Sequence, residues 1–321
     1  MKESFNDITL QINLSPGDIN YAHLTVPALV EKHSAIKKRL LVVDCCRPQK
    51  TKLVDPDKKF PEQEFYKRVE RIIEIANTFK RDGLFEDIYF LKKDDPLINE
   101  LSKKYLRGIY ATTHSAGATA NMSYWAGIEL VKTKYILHYD GDLLFYQKPG
   151  YFWVEDALKY LKENEKVVTA IPRISPPVND QTFDLPSLHE DLENFSASKY
   201  WLNDFLSTRH FLMDKDKLKD YFPLLRGKFL LEIFIRKYGR RAFPRDPEIV
   251  LFKAISSRGG KRMILKNPDA WIIHPDKKNQ VFLDILPQMM EVVSKGMCPE
   301  KQKGYININV EAWADYLHYS V

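Results

Sequence analysis

Short apolar runs alternating with helical segments leave this chain few folds to choose from. Residues 8–14 alternate apolar and polar side chains (Ile8, Leu10, Ile12, Leu14), and residues 39–44 are apolar almost throughout, as a strand covered on both faces must be. Residues 85–91 make a third run, and residues 134–145 carry a fourth. Between them, residues 21–34 read as a helix despite Pro27, and residues 62–79 align Phe65, Val69, Ile72, Ile73 and Ala76 on one face. Residues 97–105 form a short helix after the Asp95-Pro96 break, and the segment opening at Gly117-Ala118-Thr119-Ala120-Asn121 reads as a helix to about Lys132. This alternation predicts an α/β fold, a mostly parallel sheet flanked by helices on both faces. Ligands in such sheets gather at the carboxyl ends of the strands. Asp44 stands at one such end, and Asp140 and Asp142 at another.

The pair Asp140-Gly141-Asp142 follows the apolar run Tyr135-Ile136-Leu137-His138-Tyr139. In extended chain, side chains at i and i+2 leave the same face with Cα atoms roughly 7 Å apart. Two carboxylates so placed repel each other unless a cation lies between them, and a divalent ion carrying a phosphate would satisfy both. The competing reading is a hairpin turn, for which Asp-Gly is among the strongest short signals. His138 shares the strand face of Asp140, and His114 lies on the loop before Gly117, with no spacing that compels a role for either.

Composition narrows the class. A chain of 321 residues with 44% hydrophobic and 29% charged residues can bury a sizeable core, and is neither disordered nor a membrane bundle. The net charge of +6 favours anionic ligands such as nucleotides or phospholipid surfaces, but no basic stripe with interleaved aromatics points to nucleic acid. Cys45, Cys46 and Cys298 form no disulfide framework and are expected to be reduced. The first residues lack the apolar region of a signal peptide, and no run is long enough to span a bilayer. A cytoplasmic location, with peripheral contact at the inner membrane face, is the expectation.

The second half is less regular. Residues 154–164 read as a helix, 167–171 as a strand stopped by Pro172, and 174–188 as a proline-rich loop. Residues 205–213 suggest a strand, 215–221, 232–238 and 247–258 helices, and 262–265 and 270–273 short strands, the last closed by His274-Pro275. The tail, 281–321, is expected to be helical. No repeat or linker divides the chain. The expectation is one domain, with a nucleotide-binding half (8–145), an acceptor-side half (146–280) and a helical tail.

The order of these features resembles a known family. Gly117-Ala118-Thr119-Ala120-Asn121-Met122-Ser123-Tyr124-Trp125-Ala126-Gly127-Ile128, followed by Tyr135-Ile136-Leu137-His138-Tyr139-Asp140-Gly141-Asp142, is similar to the core of nucleotide-sugar glycosyltransferases of the GT-A fold, most of all the family 2 group. Leu41-Val42-Val43-Asp44 resembles that family's second strand. The resemblance implies a Rossmann-like GT-A domain, with Asp44 and the 14–18 loop, Ser15 included, beside the nucleobase. It further implies that Asn121 and Asp140 contact the donor, and that Asp140 and Asp142 hold Mn²⁺ or Mg²⁺ on its diphosphate. By the same resemblance His274 completes the metal site, and an imidazole would favour Mn²⁺.

The catalytic base of such an enzyme is an acid facing the anomeric carbon. The family usually places it in a Glu-Asp pair opening a helix, and here the stretch reads Arg245-Asp246-Pro247-Glu248. Asp246 is a natural helix cap with Pro247 at the first helical position, which favours Glu248 as base and leaves Asp246 its rival. The Arg240-Arg241 pair could steer an anionic acceptor. The expected activity is metal-dependent transfer from a nucleotide-diphosphate sugar, a UDP-sugar first, to a carbohydrate, lipid-linked or small-molecule hydroxyl with inversion. A sugar-phosphate nucleotidyltransferase would share the sheet but should carry a basic, glycine-rich loop after the first strand, and Asn13-Leu14-Ser15-Pro16-Gly17-Asp18 is not one. A glycoside hydrolase would need two carboxylates but no nucleotide-binding half. A degenerate transferase kept as a nucleotide-sugar-binding protein is the non-enzymatic alternative.

Overall fold

The computed structural model describes residues 5–178, 199–239 and 241–319. In chain order the first half runs β1 (Ile8–Leu14), α1 (Ala22–Lys32), β2 (Lys38–Asp44), α2 (Pro56–Lys59), α3 (Glu62–Arg81), β3 (Asp87–Leu91), α4 (Pro96–Leu106), α5 (Met122–Leu130) and β4 (Tyr135–Asp140). There follow β5 (Leu144–Gln147), α6 (Trp153–Glu163), β6 (Val167–Ile171), β7 (Tyr200–Asn203), β8 (His210–Asp214) and α7 (Lys215–Lys219). The remainder is α8 (Gly227–Tyr238), α9 (Pro247–Ser256), β9 (Lys261–Leu265), β10 (Ala270–Ile273), α10 (Gln280–Ser294) and α11 (Val310–Tyr316). The expected loop at 174–188 falls outside the described residues from 179 onward, as do Arg240 and the last two residues of the expected helical tail.

The α/β expectation is met. Eight strands form one sheet in the order β3-β2-β1-β4-β8-β6-β9-β7. β3, β2, β1 and β4 are all parallel, and β6 pairs parallel with β9. β8 runs antiparallel between β4 and β6, and β7 is antiparallel on β9. Period-two alternation sorts side chains to the two faces. Leu41, Val43, Leu137 and Tyr139 meet α1, α3 and α6 on one side. Leu40, Val42, Ile136 and Met213 meet α4, α5, α8 and α9 on the other. Every residue of β1 is buried, and a fully buried Leu10 or Ile12 contributes roughly 1.5–3 kcal/mol. A third cluster packs α10 and α11 against β5 and β10.

Two local expectations change. Asp140-Gly141-Asp142 does not close a hairpin, because β5 pairs antiparallel with β10 and not with β4. The helix expected from Gly117 begins only at Met122. Ala118 takes a left-handed φ of 65° and His114 bridges Ala120, so residues 114–120 fold as a loop.

Candidate functional site

The turn after β1 is self-contained. Ser15 Oγ accepts the Gly17 N–H at 3.2 Å, and its own N–H donates to Asp18 Oδ2 at 2.6 Å, a reciprocal cap. The Tyr21 hydroxyl donates to the other Asp18 oxygen. The loop therefore aims a carboxylate, with no cation of its own, toward the end of β4.

β4 ends at Asp140, whose N–H donates to the Arg209 carbonyl at 2.7 Å. Its two carboxylate oxygens accept from the Tyr124 hydroxyl at 2.7 and 2.8 Å. His138 Nε2 lies 3.4 Å from the same carboxylate, and Gln11 Oε1 meets Nδ1 of that ring. Tyr124 comes from α5, which approaches β1 closely at Gly127. A Cβ there would stand 2.7 Å from Gln11 Oε1. The next step of the chain is just as tight, since a Cβ on Gly141 would lie 2.3 Å from Leu14 Cδ2. This seats the turn against β1 and drives Asp142 inward.

Asp142 is buried between two cationic or imidazole partners. Lys278 Nζ is 2.6 Å from Oδ2, and His274 Nε2 is 3.4 Å from the same oxygen. Burial pushes this carboxyl up, but hydrogen bonding from His274 and the charge of Lys278 outweigh burial and hold it well below the usual carboxylate range. Lys278 also reaches Asp18 at 4.0 Å and donates to the Tyr21 hydroxyl at 2.7 Å. Burial alone would lower the lysine, yet Asp142 and Asp18 together raise it above its ordinary value. For Asp18, burial prevails over Lys278 and raises the carboxyl.

Asp44, at the end of β2, accepts the Cys46 N–H on Oδ1 at 2.9 Å. Its buried Oδ2 has no hydrogen-bond partner among the described residues, and His114 Nε2 is 4.0 Å from it. Burial lowers the pKa of His114 against the pull of Asp44. Asp44 and Ser15 line two adjoining cavities. One, of about 200 Å³, is walled by Phe60, Phe65, Arg68 and His114, and the other, of about 160 Å³, by Asp18, Tyr124, Asp140, Asp142 and Lys278. A larger cleft of about 540 Å³, walled by Asp276, Asn307, Glu311 and Tyr319, holds none of the strand-end acids.

The sequence-expected residues are thus partly assembled. Asp44, Ser15, Asp140, Asp142 and His274 stand around one cleft. Asn121 does not. It is fully buried, its Oδ1 accepting from Trp125 Nε1 at 3.0 Å and its Nδ2 donating to the Thr112 carbonyl at 3.4 Å. Glu248, in the first turn of α9, accepts the Thr208 N–H at 3.1 Å. Thr208 adjoins Arg209, whose carbonyl accepts the Asp140 N–H, and this puts Glu248 on the Asp140 side of the cleft. Asp246 caps α9 by position only, and its buried Oδ1 has no partner among the described residues. Lys278 and Tyr124 were not singled out from the sequence. The only signal for the lysine was the basic pair Lys277-Lys278, three and four residues after the strand-end His274, which reads as a solvated turn.

Among the described residues no three His, Cys, Asp or Glu side chains already converge as a metal site. The donor chemistry nonetheless suits a divalent ion. Asp142 keeps a buried Oδ1 with no partner among the described residues, and small divalent ions are commonly held by one or two carboxylates together with substrate phosphate oxygens. His274 is the weaker ligand. Arg209 Nη1, a donor only, faces its Nδ1 at 3.4 Å, which favours the tautomer with the proton on Nε2 toward Asp142.

No family model matches this sequence, and no curated protein matches it. Among solved structures, Staphylococcus aureus TarS 1–349 in complex with UDP-GlcNAc is similar at 12% identity and a TM-score of 0.41, over 82% of this chain and 57% of that one. Mouse xyloside xylosyltransferase 1 is similar at 13% identity and a TM-score of 0.36, over 82% of this chain and 83% of that one. The galactosyltransferase LgtC, in complex with donor and acceptor sugar analogues, is similar at 10% identity and 0.34, over 77% and 70%. The chain spans little more than half of the TarS fragment, and likenesses this distant assign no activity.

Proposed function

We propose that this chain is a GT-A-type glycosyltransferase that moves a sugar from a nucleoside diphosphate sugar, a UDP-sugar in the simplest case, to an acceptor hydroxyl with inversion. The observation that carries the reading is the line of groups along the adjoining cavities. An unsatisfied buried carboxylate oxygen at the end of β2 is followed by an acid–lysine cluster at the end of β4. The first suits an N–H on the edge of a base, and the second a diphosphate. Phe60 and Phe65 give the base cavity apolar walls.

In this reading Asp44 Oδ2 accepts from the base, and the 15–18 turn lies along the nucleoside. Lys278 turns from Asp142 toward the diphosphate and balances the charge that builds on the leaving oxygen. Asp142 with Asp140 would hold Mn²⁺ or Mg²⁺, which when bound supplies Lewis-acid stabilisation of the same charge, and His274 would join them on giving up its Nε2 proton. Tyr124 orients Asp140. Glu248 takes the acceptor proton as the new bond forms at the anomeric carbon and the bond to the diphosphate oxygen breaks, its electron pair leaving with the nucleotide. Asp246 is the alternative base. The β1 turn argues against a nucleotidyltransferase, since it offers Asp18 and no cation to the phosphates.

Calorimetric titration of UDP with and without Mn²⁺ tests this. Wild-type protein should bind UDP more tightly with the metal, and Asp142→Asn should lose at least tenfold in affinity, the loss expected when a charged hydrogen-bonding partner is removed. Equal affinity in that variant removes the metal–diphosphate assignment. Glu248→Gln should keep UDP binding and lose sugar transfer. A wild-type chain that binds UDP-sugars but neither transfers nor hydrolyses them would be the degenerate binder.

A further inference from the structure

Helix α8 buries very little of itself. Of its residues only Ile233 is fully buried, while Phe229 and Leu230 pack partly against the core beneath. On the other side Leu231, Phe234, Ile235 and Tyr238 are 60%, 36%, 57% and 75% exposed. Their spacing of i, i+3, i+4 and i+7 puts them in one stripe along the helix. Phe234 and Tyr238 stack with ring centroids 6.3 Å apart, so the stripe is a continuous apolar surface. Exposed large apolar residues scattered singly need no explanation, but four in a row on one helix do.

The charge around the stripe has one sign. Residues 226–241 contain six Arg or Lys and a single acid, Glu232. That acid is already neutralised, by Arg236 at 2.7 Å and by Lys253. Lys237 is tied to the Ile109 carbonyl at 2.7 Å. Arg226, Lys228 and Arg241 are exposed beside the stripe. Among the described residues no helix is long and apolar enough to cross a membrane.

We propose that α8 docks this protein on an anionic phospholipid surface, with Leu231, Phe234, Ile235 and Tyr238 entering the headgroup–acyl boundary and the flanking cations meeting lipid phosphates. An amphipathic helix with aromatic and aliphatic residues on one side and cations beside them has the composition of an interfacial element. A second copy of the chain is a poorer occupant. A two-fold contact would set the same patch against itself and bring the cations at its two ends, Lys228 and Arg241, against the same cations of the other copy. A bilayer complements both the apolar stripe and its positive border. The chain leaves α8 directly for residues 241–246 and the α9 acid, and the Arg245 carbonyl accepts from the Tyr110 hydroxyl at 3.4 Å. α8 is also tied to α9, the helix whose first turn carries Glu248, through the Glu232–Lys253 pair. The proposal does not depend on the transferase reading and can fail without it.

Sedimentation of the full chain with vesicles of phosphatidylcholine alone, or mixed with phosphatidylglycerol, tests it. The protein should pellet with the mixed vesicles, release as salt is raised, and stay in solution with phosphatidylcholine alone. Leu231→Glu/Ile235→Glu should weaken binding to mixed vesicles by about tenfold or more. Lys228→Glu/Arg241→Glu, confined to exposed positions, should remove the preference for the anionic lipid. The proposal is overturned if wild-type protein ignores anionic vesicles or if neither variant changes the binding. It is also overturned if Leu231→Glu/Ile235→Glu dissolves a dimer seen by light scattering, which would make the stripe a self-contact. A fall of several degrees in melting temperature for that variant without lipid would show the stripe covered within the chain, and would overturn it too.

Discussion

Lys278 shows how a site can turn on a residue that its local sequence leaves unmarked. Its ammonium lies 2.6 Å from Asp142 and 4.0 Å from Asp18, the cation that lets buried Asp142 and partly buried Asp18 share a cleft. Replacing it with methionine keeps the length of the side chain and removes the charge. Lys278→Met should lower UDP affinity by about ten- to a hundredfold, the range expected for losing a hydrogen bond to a charged group. Calorimetry reads this directly, and unchanged affinity would place the diphosphate's counter-charge elsewhere. The acids themselves were legible as candidates, because ligands in such a sheet gather at strand ends, although a strand-end aspartate is commonly just a helix cap. Asp44, Asp140 and Asp142 all come to the cleft from that rule. The side chains that partner them were not legible, because Tyr124 and Lys278 arrive from an intervening helix and from more than 130 residues downstream.

Among the elements, the turn from β4 to β5 is the most constrained. The sequence presented Asp140-Gly141-Asp142 as either a hairpin or a metal clamp, and the pairing of β5 with β10 removes the hairpin. What the local pattern could not show is why glycine is needed. There is no room for a Cβ beside Leu14 and the Asn13 carbonyl, 2.3 and 3.3 Å from where it would stand. Gly141→Ala should cost about 1–3 kcal/mol by overpacking, and it should weaken UDP binding more than the same loss of stability imposed elsewhere. Paired thermal melts and titrations separate the two effects. If affinity survives while the melt shifts, the turn is a packing feature alone. The late start of α5 has a similar cause. Apolar spacing favoured helix from Gly117, but the His114–Ala120 bridge and the left-handed Ala118 hold that stretch as a wall of the cavity beside Asp44.

For the whole molecule, burial of neutral histidines sets the acid limit. His33 is fully buried between the Leu29 carbonyl at 2.8 Å and the Tyr139 hydroxyl at 3.1 Å, and burial pushes its pKa down to about 4. The folded value lies below the unfolded one. Between these values the unfolded chain binds a proton that the folded chain refuses, so stability is lost as pH falls from about 6.5 toward 4. The gap corresponds to about 3 kcal/mol for this residue alone. Burial lowers His114 and His210 in the same direction. Melting temperature should therefore decline steeply from pH 7 to 4.5, and His33→Gln should flatten part of that slope. A flat profile in the wild type would mean these rings are protonated inside the fold. At this scale the repeated strand–helix order made the first half readable. In the second half α6, α9, β9 and β10 were legible as elements, but β7 was not, and the order β4-β8-β6-β9-β7 rests on pairings between distant parts of the chain that leave no local period.

One of those distant contacts fixes the order in which the cleft can come into being. The His274 N–H donates to the Ile306 carbonyl and the His274 carbonyl accepts from Ile308, both at 2.9 Å. During synthesis, the strands from β1 to β4 and every residue lining the cavity beside Asp44 and Phe60 have been made while that partner segment is still untranslated. The imidazole beside Asp142 is held only after residues 306–308 have emerged. The two walls of the cleft therefore belong to stretches made far apart in time, one complete by residue 140 and the other dependent on residues 306–308.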